Sequence, residues 1–132
     1  MTQLTREQKD SLVKLGDSDI VLSDPADDIR HRKVIDSETK AVGHVSALFI
    51  DERQRKVRFM EVTAGGFLGL GGQKFMVPVE DISSIDSAEI HVHHTLGKIL
   101  EAPRYDPSLT SWYNRDFWNP YYDYYGYSPY WI

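Results

Sequence analysis

The middle of the chain, residues 30–94, carries the hydrophobic pattern of short β-strands. Polar turns separate runs rich in Val, Ile and Phe, and these runs predict strands at residues 33–36, 41–51, 56–63, 74–79 and 89–94. The last run alternates most clearly, with Ile90 and Val92 on one side and the histidines His91 and His93 on the other. Pro78 predicts an edge position or a strand end, because proline cannot donate to a ladder. Several short strands at this spacing predict a small barrel or sandwich.

Short helices are predicted before and after the strands. Thr5 and Gln8 have the spacing of a capping box, and Gly16 stands where a glycine ends a helix. The apolar face of this first helix is thin and consists of Leu12, Val13 and Leu15. An acidic stretch, residues 17–28, follows it. A second helical turn is predicted to begin at Thr95 and to end before Pro103.

The glycine-rich segment at residues 65–72 predicts a hairpin turn rather than a phosphate-binding loop. A P-loop needs a lysine directly after a glycine and then Ser or Thr, but Lys74 follows Gln73 and precedes Phe75. Glycines between two predicted strands supply positive φ angles and tight curvature. The apolar residues at the tip are candidate partner contacts, namely Phe67, Leu68 and Leu70.

Aromatic residues dominate the C-terminal segment, where they occupy 11 of the 22 positions from 111 to 132. Pro120, Gly126 and Pro129 predict that no long helix forms there. These side chains represent on the order of 2,000 Å² of coverable surface, more than a small barrel can enclose. The segment is therefore expected to pack on its own barrel, in a homo-oligomer or on a partner, with disorder as the remaining alternative. The candidate partner contacts are Trp112, Phe117, Trp118, Tyr121, Tyr122, Tyr125 and Trp131.

Four motifs occur in order between residues 26 and 106. The first is formed by Val34, Asp36, Val42, Gly43, Val45 and Asp51. The second is the glycine hairpin of residues 65–69, and the last two are Val77-Pro78 and the group Leu100, Ala102 and Pro103. Together these motifs resemble the PRC-barrel domain. Two places depart from the family pattern: His31–Arg32 and the turn at residues 36–39, where glycine is commoner.

The resemblance implies a small, highly curved all-β barrel. Related barrels occur in the photosynthetic reaction-centre H subunit and in bacterial ribosome-maturation factors, where they serve assembly and protein contacts. None of the residues that these domains share is catalytic. Fold analogy does not choose among those settings.

Composition narrows the classes of function. The net charge of −5 and the pI near 5.4 weigh against a protein that binds nucleic-acid phosphates. The lack of cysteine excludes disulfides, thiolate metal sites and a cysteine nucleophile. The N-terminus is polar and no apolar run reaches the length of a membrane span, so a cytoplasmic location is the default expectation.

Candidate chemistry is weak in this sequence. Glu89, His91 and His93 share a predicted strand face, but ligands from a single strand seldom close a tetrahedral metal site. No nucleophile-elbow motif is present, and neighbouring carboxylates in extended segments point to opposite sides. We therefore expect no catalytic, cofactor or metal site, and no enzyme.

The sequence predicts an all-β protein with a small PRC-type barrel at residues 26–106, flanked by short helices. Residues 1–25 are expected to form an N-terminal helix and acidic linker, and residues 107–132 an aromatic extension. The expected function is a non-enzymatic protein-binding or assembly module that forms a homo-oligomer, most simply a dimer, without direct nucleic-acid binding or membrane insertion. Two alternatives remain open. One is an accessory role in ribosome or RNA maturation, and the other is a subunit or adaptor of a photosynthetic or other membrane complex.

Overall fold

The computed structural model describes residues 12–17, 19–65, 72–106 and 114–132, and its strands form one curved sheet. The strands are β1 (Leu12–Lys14), β2 (Lys33–Ile35), β3 (Ala41–Asp51), β4 (Val57–Ala64), β5 (Gln73–Pro78), β6 (Ile82–Ile85) and β7 (Glu89–Val92). Two helices follow them, α1 (Leu96–Leu100) and α2 (Arg115–Tyr125). Single 3-10 turns lie at Pro25–Asp27 and Val79–Asp81.

Strand β3 is the centre of the sheet, whose order is β5-β4-β3-β2-β7-β6. One edge of β3 pairs with β4, and the other edge is shared: β2 pairs with its first residues and β1 with its last. All pairings are antiparallel except that of β2 with β7. The register between β3 and β4 shifts twice, and such irregularities increase bending and twist. The sheet therefore curls into a partly open barrel with β5 and β6 at its two edges.

The predicted strand pattern is confirmed closely. The strand at residues 41–51 has the predicted bounds, and the ends of the other four lie within two residues of the predicted ends. Pro78 is the last residue of β5, an edge strand, as its missing N–H donor required. Strand β6 was not predicted, because the adjacent serines Ser83 and Ser84 interrupt its apolar pattern.

The predicted helix before Gly16 is wrong at its C-terminal end. Leu12–Lys14 form strand β1, which adds to the end of β3, and Thr5 and Gln8 lie outside the described residues. Leu12 and Val13 are almost completely buried, at 0% and 1% exposure, in two different hydrophobic clusters. Adjacent residues that pack on opposite sides require an extended backbone, since a helix would place both on one broad face.

The central strands of the sheet are buried on both faces. In β4, Met60 and Val62 point into the barrel core, whereas Phe59 and Glu61 point to the outer face. The outer-face cluster also contains Phe49 of β3, and helix α2 covers it. This two-sided burial explains why β3 and β4 read as nearly continuous apolar runs.

The start of α1 is tied to the β2–β3 hairpin through Asp36. Its carboxylate accepts hydrogen bonds from the backbone N–H groups of Glu38 (2.9 Å), Lys40 (2.7 Å) and Leu96 (2.7 Å). Burial raises the pKa of Asp36, but these three bonds outweigh that effect and hold the pKa below its ordinary value. The predicted helical turn after Thr95 is confirmed, and the Thr95 side chain caps it.

Helix α2 has 11 residues and includes Pro120, although the sequence predicted that Pro120 would limit helix length. Asn114 caps its start by accepting a hydrogen bond from the N–H of Asp116, and Gly126, with a φ of 84°, ends it. Pro120 removes one helical hydrogen bond, and the burial of four aromatic side chains offsets that loss. No helix in the described ranges is long and apolar enough to cross a bilayer.

Backbone angles explain why glycine is commoner in the family at the two places where this chain departs from its pattern. His31 and Thr39 have positive φ angles of 76° and 64°, in the left-handed region where glycine is unstrained. Gly65 has the predicted positive φ, at 76°, whereas Gly66 and Gly69 lie outside the described residues. Gly43 is required for another reason: a Cβ atom there would lie 1.9 Å from the carbonyl oxygen of Thr63.

Candidate interaction surface

The aromatic C-terminal segment packs on the outer face of its own barrel. The ring of Trp118 stacks on Phe59 at a centroid distance of 4.6 Å and contacts Phe49 at 5.2 Å. Among the alternatives drawn from the sequence, packing on the chain's own barrel is therefore the one that the described residues adopt. The prediction of partner contact is corrected for four side chains, which are at most 3% exposed: Trp118, Tyr121, Tyr122 and Tyr125.

The remaining predicted contact residues fall into two groups. Phe117 and Trp131 are partly buried against the same outer-face cluster. Four predicted contacts lie outside the described residues, namely Phe67, Leu68, Leu70 and Trp112. Two concavities are described below, and Trp131 is the predicted contact that lines one of them.

A buried carboxylate on the outer face holds the chain segment that precedes α2. Glu61 is 4% exposed and accepts hydrogen bonds from the hydroxyls of Ser46 and Tyr105, both at 2.8 Å. The Lys74 ammonium lies 3.2 Å from the same carboxylate. Burial, together with the charge of Glu61, raises the pKa of Tyr105 well above its ordinary range. The charge of Glu61 is thus satisfied by structural partners.

A second buried carboxylate anchors the segment that follows α2. Asp81 is 0% exposed and accepts a hydrogen bond from the Tyr127 hydroxyl at 2.5 Å and from the imidazole of His94 through Nδ1. Burial and the Asp81 carboxylate raise the pKa of Tyr127, so the phenol stays protonated and donates. The contact joins the C-terminal segment to the turn that precedes β6.

The histidine strand has the predicted orientation. Ile90 and Val92 are buried, at 0% and 1% exposure, and His93 is exposed. The described residues contain one group with metal-ligand geometry, in which the ligand atoms of Asp86, Glu89 and His91 lie within 4.8 Å of one another. One oxygen of Asp86 already accepts two backbone hydrogen bonds at 2.8 Å, so it serves the β6–β7 turn.

An apolar groove lies beside edge strand β6, and we call it the edge groove. Its volume is about 440 Å³. The charged residues at its rim are Asp27, Lys56 and Arg58. Its large apolar lining residues are Ile29, Val57, Val79, Ile82 and Ile85. Ile85 is 52% exposed and adds its side chain to the apolar lining of the groove.

A smaller concavity, the arginine cleft, adjoins the groove and shares Arg58 with it. It has a volume of about 190 Å³, and its lining residues are Asp51, Arg53, Gln54, Arg58, Arg115, Tyr130 and Trp131. The guanidinium of Arg58 lies 2.7 Å from the buried Asp51 carboxylate and 4.6 Å above the Tyr130 ring. Arg115 lies 5.4 Å above the Trp131 ring. The lining residues thus include three arginines, of which Arg58 pairs with Asp51.

Sequence reasoning missed both concavities. The edge groove combines residues from three separate parts of the chain, so no local motif marks it. Arg53 and Arg58 lie in and just after the polar turn between β3 and β4, and polar residues are typical of any surface turn. The available signal was Ile85, an isoleucine that belongs to no predicted strand.

Comparison with known proteins agrees with this architecture. The model of the PRC-barrel domain matches residues 23–95, more than half of the chain. The chain therefore belongs to the PRC-barrel domain family. No curated protein matches it.

Proposed function

We propose that this chain is a non-enzymatic protein-interaction or assembly module whose partner docks an extended segment in the edge groove. The observation that carries the proposal is Ile85, which is 52% exposed beside the apolar wall of the groove. Apolar surface of this kind is covered when a partner binds, and its removal from water contributes about 25 cal/mol per Å². The buried carboxylates Glu61 and Asp81 have structural partners, which accords with a binding module.

The free edge of β6 supports an extended partner segment. β6 pairs with β7 along one edge, and its second edge has no strand partner within the described ranges. Unpaired backbone groups at a sheet edge accept an added strand, with side-chain pockets supplying specificity. Because β6 has four residues, few backbone bonds are available, and the apolar contacts of the groove must supply much of the affinity.

A second copy of this chain is the simplest such partner. Two β6 edges can pair antiparallel about a two-fold axis, which makes the contact self-complementary. Each Ile85 would then be covered by the other subunit. We therefore propose a dimer as the first assembly to test.

The test is the variant Ile85→Asp, with Val21→Asp as the matched control. Val21 is 62% exposed and does not line the groove. Mass in solution is measured by light scattering over a range of protein concentrations, and circular dichroism checks that each variant is folded. We expect the wild type and Val21→Asp to associate and Ile85→Asp to remain monomeric.

For a partner other than a second copy, cross-linking in the native cell is expected to capture the same protein with the wild type and Val21→Asp and to lose it with Ile85→Asp. If Ile85→Asp keeps every association of the wild type, the edge groove is not the docking site.

A further inference from the structure

We propose that Asp86, Glu89 and His91 form a binding site for a divalent transition-metal ion, with Zn²⁺ as the best match. The nitrogen and oxygen ligand atoms of these three side chains lie within 4.8 Å of one another. The site lies on the hairpin of β6 and β7. The inference does not rest on the proposed function, because all three ligands come from this chain.

The structure answers the objection that ligands from a single strand seldom close a metal site. Glu89 and His91 lie two residues apart on one face of β7, whereas Asp86 lies in the turn that leads into this strand. The three ligands therefore come from the strand and from the turn before it. His93, which the sequence pattern placed beside Glu89 and His91, lies beyond the end of β7 and is not part of the group.

The spacing of the ligand atoms fits a metal ion. Bonds of about 2.0–2.2 Å from zinc to imidazole nitrogen and carboxylate oxygen, at tetrahedral angles, place neighbouring ligand atoms about 3.3–3.6 Å apart. Nε2 of His91 and Oε2 of Glu89 are 3.2 Å apart, so an ion can replace their hydrogen bond with two coordinate bonds. The distances to Asp86 are at most 4.8 Å and close by small side-chain rotations.

Asp86 is held in place and still has an oxygen to offer. One of its carboxylate oxygens accepts hydrogen bonds from the backbone N–H groups of Ala88 and Glu89, both at 2.8 Å. The other oxygen has no hydrogen-bond donor among the described residues. The side chains of Glu89 and His91 are 39% and 35% exposed, so the surrounding strands restrict them but leave access from solvent. Binding therefore costs less side-chain entropy than it would with fully exposed ligands.

The imidazole of His91 determines the kind of ion. Carboxylates alone favour Mg²⁺ or Ca²⁺, which take oxygen ligands, whereas an imidazole nitrogen suits Zn²⁺ and its neighbours. Three protein ligands leave at least one position open to water or another ligand. Two cations reduce the affinity: Lys33 is the strand neighbour of Glu89, and Arg32 donates to the backbone carbonyl of Asp86 at 2.9 Å. We therefore expect weaker binding than at a closed structural zinc site.

The test is titration of the untagged, metal-free chain with zinc chloride by isothermal calorimetry, with calcium chloride as the second ion. His91→Gln and Asp86→Asn each remove one ligand, and the asparagine keeps an oxygen for the two backbone hydrogen bonds of the turn. The first matched control is His93→Gln, at an exposed histidine two residues further on. The second is Asp24→Asn, at an exposed aspartate that accepts a backbone hydrogen bond from Ala26 at 3.0 Å. Circular dichroism checks that every variant is folded.

We expect the wild type to bind one zinc ion per chain, and to bind calcium at least about tenfold more weakly. His91→Gln and Asp86→Asn are expected to weaken zinc binding by about tenfold or more, whereas both controls leave it unchanged. The absence of saturable zinc binding would overturn the inference, and so would zinc binding that survives His91→Gln or is lost in His93→Gln. Equal binding of zinc and calcium would also contradict it, because carboxylates alone would then hold the ion. None of the substituted residues lines the edge groove, so these results are independent of the test with Ile85→Asp.

Discussion

Replacement of Trp118 with alanine is expected to destabilise the protein strongly. Trp118 is 0% exposed, and three phenylalanine rings surround it, with centroids at 4.6 Å (Phe59), 4.8 Å (Phe117) and 5.2 Å (Phe49). Removal of a fully buried tryptophan side chain loses its transfer free energy and leaves a cavity, which together cost about 3–5 kcal/mol. Proteins of this size have a total unfolding free energy of about 5–15 kcal/mol. The variant is therefore expected to lose at least about a fifth of its stability.

The assay is urea unfolding followed by far-ultraviolet circular dichroism, because the substitution itself removes a fluorophore. We expect a lower midpoint of unfolding and a fall in Tm of roughly 10–20 °C. Asn119→Ala is the matched control, since Asn119 is the next residue of α2 and is exposed, and its effect should stay within about 0.5 kcal/mol. If Trp118→Ala costs less than about 1 kcal/mol, α2 does not contribute to the folded state as the structure indicates, and the reasoning on the aromatic segment is wrong.

Two further predictions concern the β2–β3 turn. Thr39→Gly is expected to stabilise the protein by about 1 kcal/mol in thermal unfolding, because Thr39 has a φ of 64° and is β-branched, whereas Ser37→Gly, at a position without a positive φ, should destabilise it. A loss of stability in Thr39→Gly would contradict the strain argument. Asp36→Asn is expected to reduce the acid sensitivity of the fold: the folded-state pKa of Asp36 is lowered, so its stabilisation is present above the unfolded-state pKa of about 3.9 and is lost as pH falls through the folded-state value. Parallel stability curves for the wild type and Asp36→Asn between pH 5 and about pH 2 would show that the three backbone hydrogen bonds do not lower this pKa.

The strands were predictable because their signal is local. In Glu89–Val92 each residue alternates between core and solvent, and the pattern fixes the face of every side chain without knowledge of the neighbouring strands. The 11-residue strand β3 was equally clear from its apolar content and its flanking polar turns. The four family motifs, in their order along the chain, indicated which kind of barrel these strands form.

The elements at the two ends were less predictable, because distant residues decide their structure. Leu12 and Val13 form a strand since the end of β3 offers a free edge, and this edge is not visible in the sequence around them. Pro120 predicted that no long helix forms there, but the burial of four aromatic side chains, Trp118 among them, offsets the hydrogen bond that Pro120 removes. The edge groove could not be predicted at all, as Ile29, Val57 and Ile82 meet through the curvature of the sheet.

The position of α2 along the chain has a consequence for biosynthesis. This helix follows every strand of the described residues, so the ribosome makes it after the sheet that it covers. Until then the outer face of the nascent sheet, with Phe49, Phe59 and Met76, has no aromatic cover, although the hairpins of β3, β4 and β5 can already pair. Exposed apolar sheet surface of this kind binds chaperones or aggregates. Translation that stops before Trp118 is thus expected to yield a chain that can form its hairpins but aggregates through this uncovered face.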